Sequence, residues 1–69
     1  MPLTMAVAGQ RIRIMEVGGK PEIKKHLANL GLVAGNDVTV ITDISGNLIV
    51  EVDGDRIAIH REMAGKIEI

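Results

Sequence analysis

The 69-residue sequence has no cysteine, no aromatic residue and only two prolines. Each absence removes a class of function. Without cysteine there is no disulfide scaffold and no thiolate zinc site, and the chain suits a reducing compartment such as the cytoplasm. Without Phe, Tyr or Trp there is no stacking platform for single-stranded nucleic acid and no aromatic groove for Pro-rich peptides. An aromatic cage for a cation is excluded too. No apolar run approaches the ~18 residues a membrane helix needs. Met1–Ile14 lacks the charged start and long apolar stretch of a signal peptide. The expectation is a cytoplasmic protein with no direct membrane insertion.

Strong charge of either sign is also missing. The net charge is −1, with +3 over residues 1–25 and −4 over residues 26–69. This is a mild dipole, not the basic stripe that nucleic-acid binding requires, so a nucleic-acid partner is not expected.

What is present is a continuous supply of aliphatic residues. Hydrophobic side chains make up 46% of the chain, enough for one compact core, and nothing resembles a linker or a repeat. Residues 1–69 read as a single domain.

Arg11–Val17 begins with strict alternation, Ile12 and Ile14 on one side and Arg11 and Arg13 on the other. The alternation fails at Met15, which predicts a bulge or a strand buried on both faces. Gly18–Lys20 ends this strand. Pro21 suits the first position of a helix, and Glu22 complements its positive end. Ile23, Leu27 and Leu30 form one apolar face. If Leu30 is the C-cap, Gly31 takes the left-handed conformation and Leu32 packs back on Leu27, a Schellman ending. Val33–Asn36 then fits a type II turn with Gly35 at the position needing positive φ. Val38–Asp43 reads as a strand and Ser45–Asn47 as a loop.

Leu48–Val52 alternates again, and Asp53-Gly54 is a strong hairpin signal. A two-residue loop ending at Gly54 places Val52 opposite Asp55, Val50 opposite Ile57 and Leu48 opposite Ile59. On the other face Glu51 meets Arg56. Arg61–Ala64 reads as a helical turn, and Lys66–Ile69 as a last strand with Ile67 and Ile69 inward. The expected fold is mainly β: a small SH3-like barrel of about five strands, with one short α-helix inserted after the first long strand. Closure would leave no open sheet edge.

Taken together, "LANLGLVAGNDVTVI" and "GNLIVEVDGDRIAIHREMAGKIEI" resemble the FeoA family of bacterial ferrous-iron transport. Leu27, Leu30, Gly31, Leu32, Gly35, Val38 and Val40 stand where that family has leucines, glycines and inward valines. Arg56, Ala58, Ile59, Ala64 and Ile67 match its closing pattern. Ala34 replaces a common proline, and "DISGN" is shorter than the loop many members carry. The C-terminal barrel of iron- or manganese-dependent repressors has similar motifs. The resemblance implies a non-enzymatic accessory protein whose partner is the cytoplasmic GTP-binding part of the FeoB transporter, with weak self-association left open.

Candidate functional residues follow. His26 and His60 are the only histidines. With Glu22 one turn before His26 and Glu62 two residues after His60, they are the candidates for an Fe(II) or Zn(II) site. No HxxxH spacing supports it, so no cofactor is expected; a small Fe(II) sensor or carrier is the alternative function. The competing structural expectation is that His26 caps the negative end of the helix and His60 lies on the hairpin's outer face. Ser45, the sole serine, has no base nearby in sequence. Gly18-Gly19-Lys20 lacks the spacing of a phosphate loop, and Pro21 stands where it needs Ser or Thr. Lys24, Lys25 and Asn29 lie on the exposed side of the helix. Leu32, Val33 and Met5 are the candidate apolar anchors beside them, unless the helix cap takes up Leu32. Lys24, Lys25, Asn29 and Val33 are therefore the expected partner-binding group.

Overall fold

The hairpin around Asp53-Gly54 forms as its residues dictate. Asp53 and Gly54 both take positive φ, 52° and 84°, the type I′ geometry that matches strand twist. β4 is Asn47–Val52 and β5 is Asp55–His60. The pairs are Val52 with Asp55, Glu51 with Arg56, Val50 with Ile57, and Leu48 with Ile59, as the alternation predicts. A second tight hairpin precedes it. Ser45 and Gly46 have φ of 51° and 81°, and Ile44 pairs with Asn47. The expected loop at Ser45–Asn47 is thus a two-residue turn, with Asn47 already inside β4 and β3 running Asp37–Ile44.

The computed structural model describes residues 1–69 in full. A 3₁₀ turn at Leu3–Met5 is followed by β1 (Arg11–Arg13), β2 (Glu16–Val17) and helix α1 (Pro21–Asn29). After β3, β4 and β5 come the one-turn helix α2 (Arg61–Ala64) and β6 (Ile67–Glu68). One sheet has the order β1-β3-β4-β5, the other β2-β6, and every pairing is antiparallel. The whole is a small SH3-like, mainly β fold with one principal helix.

Two expectations change. The first long strand is two short ones, which brings the strand count to six. The Ile14 N–H donates to the Asn36 carbonyl at 2.9 Å, and the Met15 N–H to the Glu68 carbonyl at 2.8 Å. The chain changes sheets between these residues. Ile14 is fully buried at the junction while Met15 points to solvent, so neither a bulge nor a doubly buried strand is needed. Second, hydrogen bonds do not close the barrel: β1 and β5 remain sheet edges. Closure is made by side chains instead. Leu3, Ile14, Leu27, Leu32, Ala64 and Ile67 pack against the inner residues of β3–β5, and no polar side chain is buried among them. Leu3 belongs to this core although its surroundings show no periodicity. It is held by the 3₁₀ turn and by the Pro2–Glu68 bridge to β6.

Candidate partner-binding surface

α1 starts where the sequence says it must. Lys20 is extended at the N-cap, Pro21 occupies the first turn and Glu22 faces the positive helix end. Leu27 is fully buried, and Ile23 and Leu30 are half-buried against the core. Lys24, Lys25, His26 and Asn29 are left exposed on the remaining face.

The helix ends in a complete Schellman motif. Leu30 is the C-cap, Gly31 has φ +89°, its N–H donates to the Ala28 carbonyl at 3.0 Å, and the Leu32 N–H donates to the Leu27 carbonyl at 2.9 Å. These bonds, not the His26 imidazole, satisfy the helix end; His26 sits exposed in the last turn. Leu32 is buried, so it is not available as a surface anchor. The Asn36 N–H returns to the Val33 carbonyl at 3.1 Å with Gly35 at φ +91°, closing the expected turn. Val33 is left 40% exposed at its tip. Met5 is exposed as well, on the separate 3₁₀ turn.

Asn36 holds this tip in place. Its side-chain amide donates to the Gly31 carbonyl at 2.7 Å and to the Asp53 carboxylate at 3.3 Å, and its side-chain oxygen accepts from the Asp37 N–H at 3.0 Å. One side chain therefore joins the helix end, the β4–β5 turn and the start of β3. Sequence reasoning missed this role, because an asparagine after a turn glycine looks like any loop residue.

Beside it lies a polar hollow of about 160 Å³, lined by Arg11, Asn36, Asp37, Thr39, Glu51 and Asp53 together with Gly54. Asp37 is met by Arg11 at 3.2 Å and Arg13 at 3.6 Å, and Glu51 by Arg56 at 3.5 Å. All three arginine side chains are about 70% exposed, so these pairs order the surface more than they stabilise it.

Nowhere do three His, Asp or Glu side chains converge as a metal site would require. Glu22 and His26 lie one turn apart on the exposed side of α1. His60 is the N-cap of α2, and its Nδ1 accepts from the Glu62 N–H at 3.2 Å. That is a structural task sequence reasoning did not assign to it.

A family model of the FeoA domain matches residues 1–69, the entire chain. The chain belongs to the FeoA family. A crystal structure of the iron uptake regulatory protein FeoA superposes on this domain with a TM-score of 0.88 at 27% identity, covering 96% of this chain and 88% of that one. The solution structure of FeoA from Chlorobium tepidum gives 0.89 at 27% identity, with coverage of 99% and 67%. The IdeR structure from T. acidophilum gives 0.86 at 26% identity over 97% of this domain but only 32% of IdeR. No curated protein matches at a significant level. FeoA membership implies involvement in ferrous-iron transport, and neither the family nor the SH3-like fold is an enzymatic one. No helix of the domain is long and apolar enough to cross a membrane.

Proposed function

We propose that this FeoA domain is a non-enzymatic accessory protein of bacterial ferrous-iron transport that works in the cytoplasm by docking on the GTP-binding part of FeoB. The observation that carries the reading is a basic helix face ending in a rigid apolar tip. Lys24, Lys25 and Asn29 are exposed along α1, and Val33 follows on a turn braced by Asn36. Such a surface suits an acidic edge with an apolar recess: the lysines speed encounter, and Val33 sets how long the complex lasts. Docking regulates the transporter only if the domain binds one of its states more tightly than another.

The test is binding of the cytoplasmic domain of FeoB to wild type and to Lys24→Glu/Lys25→Glu. Affinity should fall about tenfold, equivalent to ~1.4 kcal/mol. The unfolding midpoint should stay in place, because exposed charge changes move stability by less than ~0.5 kcal/mol. Full-strength binding by the folded double variant would move the interface elsewhere, to the Ser45–Asn47 turn or to Arg61–Ala64.

A further inference from the structure

The eight lysines and arginines divide by type. Every arginine meets a carboxylate: Arg11 and Arg13 share Asp37, Arg56 meets Glu51, and Arg61 meets Asp43. No lysine does. Lys20, Lys24, Lys25 and Lys66 are all exposed, and none pairs with an acid.

Chain order hides how close these lysines are. Lys66 follows α2, yet the fold lays it against the entry to α1. The Gly18 N–H donates to the Lys66 carbonyl at 2.7 Å. The Lys66 stem crosses Gly19, where a Cβ would lie 3.0 Å from Lys66 Cδ and 3.5 Å from Ile23 Cγ2. Gly18-Gly19-Lys20 is thus no phosphate loop; its second glycine makes room for a lysine stem, whose ammonium stays in water. Lys20 stands at the N-cap of α1 and Lys24 one turn on, its N–H donating to the Lys20 carbonyl at 3.0 Å. Lys25 comes next on the helix. The isolated domain bears a cost for this placement. Like charges one helical turn apart repel, and lysines at the start of a helix oppose its dipole. Glu22 is the one acid among them, and it pairs with none.

The acids around the lysines distinguish the possible occupants. Glu22 lies between Lys20 and Lys24 in sequence, and Glu16 and Glu68, paired across β2 and β6, border Lys66. A lipid bilayer or a nucleic-acid backbone is anionic throughout, so it meets those carboxylates as well as the lysines. A protein surface can set its own carboxylates opposite the lysines alone. The lysines also continue the α1 face without a break, since Lys24 belongs to both. Resting on the FeoB reading, we propose that the docking surface does not end on α1 but continues over Lys20 and Lys66, and that a second group of carboxylates on FeoB receives them. Lysines already paired at home would gain little there; these have no partner to give up.

The test is binding of full-length FeoB, held in phosphatidylcholine nanodiscs, to wild type, Lys24→Glu/Lys25→Glu and Lys20→Gln/Lys66→Gln at low and high salt. Lys20→Gln/Lys66→Gln should bind about tenfold more weakly at low salt, and the difference should shrink at high salt. Its thermal midpoint should not fall, because glutamine keeps a stem at both positions. Lys66→Gln alone should lose about threefold, and Lys66→Arg should bind like wild type. Wild-type affinity in folded Lys20→Gln/Lys66→Gln, with a loss in Lys24→Glu/Lys25→Glu, overturns the extension and leaves the α1 reading in place. Wild type that does not bind FeoB overturns both. Binding to empty phosphatidylglycerol nanodiscs as tight as to FeoB gives the lysines to lipid and also overturns the proposal.

Discussion

Gly31 and Gly35 share nearly the same backbone conformation, φ +89° and +91°, but not the same surroundings. A Cβ on Gly31 would lie 2.7 Å from Val52 Cγ1 and 2.8 Å from an Asp53 carboxylate oxygen, whereas Gly35 has nothing within 4 Å. Gly35→Ala should therefore cost only the left-handed strain of about 1–2 kcal/mol. Gly31→Val combines a β-branched residue at positive φ with a collision against the hairpin, and its loss should exceed that of Gly35→Ala by at least ~1 kcal/mol. Urea unfolding of the two variants checks the order; equal midpoints would mean that the helix end is not pressed against Val52 and Asp53. Asn36→Ala removes the brace between these parts. It removes the side-chain donor to the Gly31 carbonyl, which keeps the Val33 N–H, and should cost about 0.5–1.5 kcal/mol.

Within an element, the two faces of β4 can be told apart by truncation. Val50 is fully buried opposite Ile57, while Ile49 is half-buried on the outer face. Val50→Ala should cost about 2 kcal/mol, and Ile49→Ala distinctly less although it removes more atoms. The reverse order in urea melts would turn the strand inside out. α2 is a single turn and depends on its ends. His60 caps it through Nδ1, so His60→Ala should cost about 0.5–1 kcal/mol and His60→Asn should recover most of it. Thermal midpoints of the two variants separate loss of the cap from loss of the imidazole.

At the scale of the whole molecule, stability rests on one aliphatic core that both sheets and the helix share. A structural metal contributes folding free energy directly, and a chelator unfolds proteins that depend on one. Nothing in this core or around it gathers three metal-binding side chains. EDTA should leave the circular dichroism spectrum and the thermal midpoint where they are. A large fall in the midpoint would favour the Fe(II) sensor or carrier function over FeoB docking.

The sequence by itself determined every feature whose cause lies within a few residues. The Asp53-Gly54 hairpin and its register, the Pro21 start and Gly31 end of α1, the type II turn at Gly35 and the turn of helix after His60 all follow from local φ preferences and from side-chain period. The exposure of Lys24, Lys25 and Asn29 was legible for the same reason, since a helix's exposed face is fixed by its apolar one. Tertiary structure decided what depends on distant partners. The break at Ile14–Met15 exists because β3 and β6 compete for one strand, and no local pattern encodes which residue goes to which sheet. Leu3 is core because β6 lies beside it, and Leu32 is spent inside the fold. Asn36 becomes a brace only when the β4–β5 turn arrives within hydrogen-bond reach of the helix end. The open edge of β5 has the same origin: whether a strand's second row of N–H groups finds a partner depends on which strands reach it, and here none does.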